Sequence, residues 1–367
     1  MDPPVFPDVD FSAFPLGGCV PLTVDFTNLT DSMMIGTSIW DMGNGTTLTA
    51  IDTSYTFTQP GAYDITLTII SPDGCQSDTT FNAYINVDAL PDVIFSADTT
   101  QGCEPSTINF VNLTAPASSA NCSWTFGNGS ASVLCNPTAT YLNPGTYDVQ
   151  LTVTSPQGCV GDSTAVGMIT IHPTPEPDFT GAPVSGCVPV VATFNNTTSN
   201  TPIANCTWDF GDGGTSNICN PVHSYNLPGV YDVKLTVESN FGCVADTTFP
   251  AYVEGFGYPD PNFTADPVVG CWPLEVDFEA LNINGFTVQS IDWDFGDGNN
   301  ASLTLNPTNI YTYADTFDVS LTVTDLNGCT SDTTLNDLVV TLEHPTAAFT
   351  FAPPQANVYQ PTVTFFD

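Results

Sequence analysis

The stretch Trp208-Asp-Phe-Gly-Asp-Gly213, followed by Pro228-Gly-Val-Tyr-Asp-Val233 and Leu235-Thr-Val237, decides the fold of this chain. In its last part, apolar side chains alternate with polar ones, which is the pattern of a β-strand with one buried face. Gly211-Asp-Gly213 supplies the residue types that a tight hairpin needs, and Pro228-Gly229 is a typical turn pair. The stretch therefore predicts a strand, a hairpin turn and further strands. Its apolar residues do not follow the roughly 3.6-residue period of a helix.

This stretch is one of four copies along the chain. The tryptophan recurs at spacings of 84, 84 and 85 residues, at Trp40, Trp124, Trp208 and Trp293. Two cysteine positions recur with nearly the same period, one at Cys19, Cys103, Cys187 and Cys271 and the other at Cys75, Cys159, Cys243 and Cys329. A fixed period makes the repeat the structural unit, and this one is too long for a helical solenoid. We expect small domains at 1–88, 89–172, 173–256 and 257–342.

Residues 343–367 restart the pattern without completing it. Ala348-Phe-Thr350 and Val363-Thr-Phe365 mirror the first two strands of a repeat, and neither Trp nor Cys follows them. Two strands cannot bury a core alone. We therefore expect an incomplete fifth repeat that is completed by further residues of the same chain or by another chain.

Seven or so short strands per repeat predict an all-β, immunoglobulin-like sandwich. On the residues of the opening stretch, and again on Trp293-Asp-Phe-Gly-Asp-Gly298, the chain resembles the PKD (polycystic kidney disease) domain family. Repeats 1 and 2 depart from the motif, with Trp40-Asp-Met-Gly-Asn-Gly45 and Trp124-Thr-Phe-Gly-Asn-Gly129. The resemblance implies tandem sandwiches in an extended rod. The Gly-Cys-x-Pro opening of each repeat also resembles the PKD arrays of large surface proteins from gliding Bacteroidetes.

The charge balance argues against several classes of partner. The chain has 39 acids against one base, Lys234, for a formal net charge of −38. Nucleic acids and anionic membranes bind through Lys and Arg, so we expect neither as a partner. No apolar run approaches the roughly 20 residues of a membrane span. Such a surface is best tolerated where salt or divalent cations screen it, which favours an extracellular, cell-surface setting.

The twelve cysteines favour disulfides over a metal site, because no CxxC pair exists and the three histidines do not recur with them. Cys122 with Cys135, and Cys206 with Cys219, are centred on the hairpin turn after the tryptophan. Residues equidistant from such a turn face each other across the ladder, which predicts two cross-hairpin bridges. Repeats 1 and 4 lack both cysteines of the pair, and carry Ser38 with Ile51 and Ile291 with Thr304.

The other eight cysteines allow two pairings. In an immunoglobulin-type sandwich Cys19 precedes the second strand and Cys75 follows the sixth, which runs parallel to it. The two would lie at opposite ends, roughly 26 Å apart, beyond disulfide reach. This favours bridges between neighbouring repeats, namely Cys19–Cys159, Cys103–Cys243 and Cys187–Cys329, with Cys75 and Cys271 left for other repeats. The alternative closes each repeat on itself through Cys19–Cys75, Cys103–Cys159, Cys187–Cys243 and Cys271–Cys329.

Two further kinds of site have an ordinary structural alternative. Asp209 with Asp212, and Asp294 with Asp297, offer oxygens to calcium, but one pair is too few ligands and Asp is common in polar turns. We therefore expect no cofactor, with calcium as the alternative.

An Asp-Ser/Thr-Thr motif resembles the acceptor of Bacteroidetes O-glycosylation, although Thr also suits a strand. Its candidate positions are Thr79, Ser163, Thr247 and Thr333.

No Ser, Cys or Thr has a plausible His and Asp set, so the chain is not expected to be an enzyme. The sequence predicts a structural stalk segment of a surface filament or adhesin, with neighbouring repeats or copies of the same protein as partners. The alternatives are a polymer-binding module of a secreted enzyme, with a polysaccharide or protein ligand, and a self-assembling filament subunit. Most aromatic residues lie on inward strand faces, and Trp272, found in repeat 4 alone, is the exception.

Overall fold

The computed structural model describes residues 6–115, 121–281, 287–352 and 362–366. Within these residues each repeat has eight strands, against the seven or so expected, and no α-helix is present. Repeat 1 contains β1 (Phe11–Phe14), β2 (Gly17–Cys19), β3 (Leu22–Asn28), β4 (Thr37–Asp41), β5 (Thr47–Thr49), β6 (Thr53–Phe57), β7 (Gly61–Ile70) and β8 (Gln76–Asp88), with a 3-10 turn at Ser32–Met34. Repeat 2 contains β9 (Phe95–Ala97), β10 (Gln101–Cys103), β11 (Ser106–Asn112), β12 (Asn121–Thr125), β13 (Ala131–Ser132), β14 (Thr138–Tyr141), β15 (Gly145–Thr154) and β16 (Val160–His172).

Repeats 3 and 4 follow the same order. Repeat 3 contains β17 (Phe179–Ala182), β18 (Ser185–Cys187), β19 (Val190–Asn196), β20 (Ile203–Asp209), β21 (Thr215–Ser216), β22 (Val222–Tyr225), β23 (Gly229–Ser239) and β24 (Val244–Phe256). Repeat 4 contains β25 (Asn262–Asp266), β26 (Val269–Cys271), β27 (Leu274–Leu281), β28 (Val288–Asp294), β29 (Asn300–Ser302), β30 (Thr308–Tyr311), β31 (Thr316–Asp325) and β32 (Thr330–Leu342). The tail forms one antiparallel pair, β33 (Thr350–Ala352) with β34 (Thr364–Phe366).

Every repeat is a sandwich of a three-stranded and a five-stranded sheet. In repeat 1 the strand orders are β1-β3-β6 and β2-β8-β7-β4-β5, and the other repeats keep this topology. Neighbouring strands are antiparallel, except that the short second strand runs parallel to the last, as β2 does to β8. The second strand therefore ends at the same end of the sandwich as the last strand.

The alternating pattern of the opening stretch fills the core as predicted. Val233, Leu235 and Val237 are fully buried, and Trp208 lies among them. The ring of Phe179 on the opposite sheet meets Trp208 edge-on, with centroids 4.9 Å apart. Buried apolar residues form four separate clusters, one per repeat. Each repeat therefore has its own hydrophobic core.

A bulge interrupts the long hairpin of every repeat, and an aspartate fixes it. In repeat 1 the register shifts between Tyr63 and Ile65, and Ala83 on the opposite strand has a φ of 46°. The carboxylate of Asp64 accepts a hydrogen bond from the Ala83 N–H at 2.6 Å. The other repeats form the same contact, namely Asp148 with Gly167, Asp232 with Ala251 and Asp318 with Asp337. The sequence carried a signal for it, because an Asp recurs at this position.

The chain divides into two compact units. The first consists of Met1–Thr174 with Phe241–Cys243, and the second of Pro175–Asn240 with Val244–Asp367. The first unit holds repeats 1 and 2 and one loop of repeat 3. Over the described residues, no helix has the length and apolar character required to cross a membrane.

Candidate functional site

Three disulfides join neighbouring repeats. They are Cys19–Cys159, Cys103–Cys243 and Cys187–Cys329, with Cα–Cα distances of 5.5, 5.6 and 5.6 Å. The structure thus has the pairing favoured by strand topology. The alternative within repeats is not formed, because Cys19 and Cys75 belong to opposite ends of a sandwich. We call these three bridges the joint bridges.

Strand pairing positions the first cysteine of each joint bridge. Cys19 ends the strand that runs parallel to β8, so it lies opposite Asp88, the last residue of its repeat's final strand. Cys103 lies opposite His172 in the same way. The first cysteine is therefore held where the chain leaves its repeat.

A tight turn between the last two long strands positions the second cysteine. The Cys159 N–H donates to Ser155 Oγ at 3.1 Å, and the Cys159 carbonyl accepts from the Ser155 N–H at 2.8 Å. Gly158 in this turn has a φ of +88°, a conformation that favours glycine. Cys159 and Cys243 are each 1% exposed and Cys329 is 0% exposed. Water therefore reaches the joint bridges mainly from the side of their first cysteine.

Non-covalent contacts accompany the bridge Cys103–Cys243 within the first unit. The rings of His172 and Phe241 stack with centroids 4.1 Å apart and planes 5° from parallel. The Thr174 hydroxyl donates to the Glu104 carbonyl at 2.6 Å. Packing and hydrogen bonds therefore reinforce this joint beside the sulfur bridge.

Two more disulfides, which we call the hairpin bridges, lie within repeats 2 and 3. They are Cys122–Cys135 and Cys206–Cys219, each with a Cα–Cα distance of 5.1 Å. The expected register was wrong by one residue, because Trp124 lies opposite Ser132, which would place residue 134 opposite Cys122. Strand β13 ends at Ser132, whose Oγ accepts a hydrogen bond from the Leu134 N–H. The bridge therefore links a strand to the loop beyond the ladder.

The hairpin bridges coincide with a difference in the hydrogen bonding of the central tryptophan. In repeat 1, Trp40 Nε1 donates to the carbonyls of Ala50 and Ile51 at 3.0 and 3.3 Å. In repeat 4, Trp293 Nε1 donates to the Thr304 carbonyl at 3.0 Å. In the bridged repeats, the buried Nε1 atoms have no hydrogen-bond partner among the described residues; they belong to Trp124 and Trp208.

An asparagine faces the first cysteine of each hairpin bridge. Asn112 Nδ2 donates to Cys122 Sγ at 3.4 Å, and Asn196 Nδ2 donates to Cys206 Sγ at 3.4 Å. In unbridged repeat 1, Asn28 Nδ2 donates to Ser38 Oγ at 3.1 Å. Sequence reasoning missed this contact. The 84-residue spacing of the three asparagines was its signal.

The carboxylates considered for calcium shape their own turns. Asp209 accepts from the Gly211 N–H and Asp294 from the Gly296 N–H, each at 3.0 Å. Asp212 accepts from the Gly214 N–H and from His223 Nε2, each at 2.8 Å; Asp297 accepts from the Asn299 N–H at 2.9 Å. Burial alone would raise the pKa of Asp212, but the His223 and Gly214 hydrogen bonds outweigh it and lower this pKa. No group of three or more potential ligand side chains is placed to hold a metal within the described ranges.

The positions considered for glycosylation are half-buried. The Thr79 hydroxyl donates to the Val9 carbonyl at 2.6 Å, and Thr333 donates to Pro261 at the same distance. Ser163 and Thr247 share this half-buried position, whereas the following Thr80 is exposed. The hydroxyls of Thr79 and Thr333 thus donate to the segment that precedes the first strand of their own repeat.

Two cysteines of the repeating set form no disulfide, the half-buried Cys75 and the exposed Cys271. Trp272 beside Cys271 is 37% exposed and packs at a tilt against His344, with ring centroids 5.7 Å apart. Its position directly follows the cysteine that forms a joint bridge in the other repeats. Trp272 therefore occupies the position next to a joint cysteine, and the exposed ring of His344 lies beside it.

The comparisons with known proteins agree with this architecture. The PKD domain family model matches residues 9–87, 90–171, 172–253 and 259–340. A microbial collagenase of Vibrio alginolyticus is 38% identical over 66 residues, which are 18% of this chain and 8% of that protein. Collagenase ColA of Clostridium perfringens (strain 13 / Type A) is 57% identical over 35 residues, which are 10% of this chain and 3% of that protein. The chain thus covers less than a tenth of either relative.

Two solved structures are similar at low identity. A four-domain ICAM-5 ectodomain fragment (D1–D4) is 12% identical with a TM-score of 0.38, and the match covers 91% of this chain and 100% of that one. The titin I-band fragment I67–I69 is 11% identical with a TM-score of 0.37, and covers 68% of this chain and 98% of its own.

Proposed function

Because the chain belongs to the PKD domain family, we propose that it is a non-catalytic stalk segment of an extracellular protein. Its role is to hold a functional part of that protein away from the cell surface. The observation that carries this proposal is the set of joint bridges, each of which links successive repeats covalently. Disulfides persist in oxidising compartments such as the cell exterior.

Covalent joints suit a load-bearing segment. Domains within one chain ordinarily move relative to each other, and a disulfide at each joint restrains that motion. A joint bridge spans 140 to 142 residues of sequence, which corresponds to roughly 4–5 kcal/mol in the chain-entropy account. Because the spans overlap, most of the polypeptide lies inside closed loops and carries no direct tension. The net charge of −38 keeps neighbouring stalks apart.

Force spectroscopy tests the proposal. The chain would be pulled through residues outside the bridged loops, near its two ends, with and without a strong reductant. We expect little extension per unfolding event while the bridges are intact, because the closed loops cannot lengthen. After reduction, each repeat should release nearly its full contour length of about 84 residues, at up to about 3.3–3.6 Å per residue.

A matched variant, Cys19→Ser with Cys159→Ser, should release the added length of one joint and leave the other joints unextended. Equal extension before and after reduction would contradict the stalk, because the bridges would then bear no load. Scattering in solution gives an independent check: we expect an elongated particle, and a compact particle would contradict the proposal.

The second candidate is a binding module of a secreted enzyme, and the similarity to segments of two collagenases favours it. In that role the domains would contact a protein polymer such as collagen. Sedimentation of the chain with insoluble fibrillar collagen tests this, with an insoluble polysaccharide as the control. Saturable binding to collagen would support the module, and recovery of the whole chain in the supernatant would remove it.

A further inference from the structure

We propose that the hairpin bridges are reversible redox sites, which an external dithiol opens while the joint bridges stay closed. Opening would change the hydrogen bonding of the buried tryptophan in repeats 2 and 3. This inference goes beyond the stalk function and does not depend on it. Its co-reactant is a dithiol, either a small molecule or a protein carrying two neighbouring thiols.

The comparison between repeats provides the first argument. The acceptor carbonyls in repeats 1 and 4 belong to Ile51 and Thr304, with Ala50 beside Ile51. Ile51 and Thr304 occupy the position of the second hairpin cysteine. Where that position is a bridged cysteine, the tryptophan Nε1 is buried without an acceptor. A buried donor without a partner destabilises the state that contains it, so the cost falls on the oxidised form.

Loop size provides the second argument. A hairpin bridge joins cysteines 13 residues apart, whereas a joint bridge joins cysteines 140 to 142 residues apart. In the chain-entropy account a shorter loop stabilises the folded state less. The first argument makes the hairpin bridges easier to reduce than the joint bridges. The second means that a repeat whose hairpin bridge opens loses less stability, so it stays folded and can close the bridge again.

The geometry also assigns the two sulfurs different roles in repeat 2. Cys135 is half-buried, whereas Cys122 is 5% exposed. A dithiol thiolate therefore attacks Cys135 Sγ, the Cys122–Cys135 bond breaks, and a mixed disulfide forms at Cys135. Cys122 leaves as a thiolate that takes up a proton, and the hydrogen bond from Asn112 Nδ2 stabilises it. A better-stabilised leaving thiolate departs faster.

The second thiol of the dithiol completes the exchange. It attacks its own mixed-disulfide sulfur, releases Cys135 as a thiol, and the reagent departs as a disulfide. Two electrons pass from the dithiol to the bridge. Repeat 3 follows the same course, with attack at Cys219 and with Asn196 stabilising Cys206.

Graded reduction of the full chain tests the proposal. The protein would be incubated with increasing dithiothreitol, trapped with a thiol alkylator and mapped by mass spectrometry. We expect the four hairpin cysteines to become labelled at a dithiol concentration about tenfold lower than the six joint cysteines. Cys75 and Cys271 form no disulfide and serve as labelling controls at every concentration. Equal labelling of both classes would overturn the proposal.

The tryptophan coupling has its own readout. In spectra of the ¹⁵N-labelled protein, the indole signals of Trp124 and Trp208 should move on partial reduction toward those of Trp40 and Trp293, which should stay unchanged. Unmoved indole signals after the hairpin bridges open would overturn the coupling.

The variant Asn112→Leu tests the leaving-group role with a control in the same molecule. Reduction of Cys122–Cys135 should slow about fivefold, while reduction of Cys206–Cys219 keeps its rate. Equal rates at the two bridges would overturn the role of Asn112.

Discussion

Repeats 2 and 3 hold the loop after the hairpin turn with a disulfide, whereas repeats 1 and 4 hold the same loop with a hydrogen bond from the central tryptophan. The surrounding sandwich is unchanged, with the same strand order in all four repeats. The difference teaches that a bridge is not simply added to a repeat. It accompanies the loss of a buried hydrogen bond, so its net effect on stability is smaller than its loop entropy suggests.

Truncating the tryptophan should have the largest effect on this comparison. Trp40→Ala and Trp124→Ala each remove a fully buried side chain, and should destabilise their repeats by about 3–5 kcal/mol. Trp40→Ala should cost about 1 kcal/mol more, because only Trp40 also loses a hydrogen bond. Hydrogen exchange of core amides, measured repeat by repeat, gives both values. If Trp124→Ala lowered the free energy of unfolding of its repeat more than Trp40→Ala does, the tryptophan hydrogen bond would not distinguish the two repeats.

Converting repeat 2 to the residues of repeat 1 should have a smaller effect. Cys122→Ser with Cys135→Ile removes a bridge worth about 3 kcal/mol in loop entropy. A regained hydrogen bond from Trp124 should return about 1 kcal/mol, which leaves a net loss of about 2 kcal/mol. Repeat 3, left intact, is the control in hydrogen exchange. If repeat 2 instead lost the whole of about 3 kcal/mol and the Trp124 indole signal did not move, the loop would not have adopted the conformation of repeat 1.

The reverse exchange should change stability less again. Ser38→Cys with Ile51→Cys should form a bridge in repeat 1, because Asn28 already faces Ser38 as Asn112 faces Cys122. The gain should be about 1–2 kcal/mol, since Trp40 gives up its hydrogen bonds. Mass mapping of the disulfides shows whether the bridge forms, and the Trp40 indole signal shows whether its hydrogen bonds are lost. A bridge formed with an unchanged Trp40 signal would refute the link between the two.

A last difference separates repeat 1 from repeats 2 and 4, and it acts only at alkaline pH. Burial raises the pKa of Tyr141 and of Tyr311 to about 12, while repeat 1 carries Phe57 at this position. The folded state favours the neutral phenol and the unfolded pKa is about 10. The raised pKa of each buried tyrosine therefore adds to the free energy of unfolding. This contribution is fully present below about pH 10 and is lost as the pH rises toward about 12.

Phenolate absorbance during an alkaline titration measures this effect. The variant Tyr141→Phe should abolish the late ionisation of repeat 2 and leave that of repeat 4. Ionisation of every tyrosine near about pH 10 in the folded chain would contradict it.

The long strands, the hairpin turn and the repeating cysteine positions were predictable from the sequence. The alternation in Tyr231–Val237 and the Gly-Asp-Gly turn are local patterns, and each is imposed by backbone geometry that needs no distant partner. The spacing of the cysteines, together with the parallel course of two strands, favoured neighbouring repeats as partners for Cys19 and Cys103, and the structure contains these bridges. The short strand β2 was missed because three residues are too few for a period to emerge.

The sequence by itself determined the repeat length and the sandwich class, and it favoured neighbouring repeats as partners for the joint cysteines. These inferences follow from periodicity and from the reach of a disulfide. Only the tertiary structure decided the hairpin register, the aspartate that fixes each bulge, and the loss of an acceptor for Trp124 and Trp208. Each of these depends on where a loop settles to within about an ångström. That position results from competing contacts across two sheets, which no single segment of sequence contains.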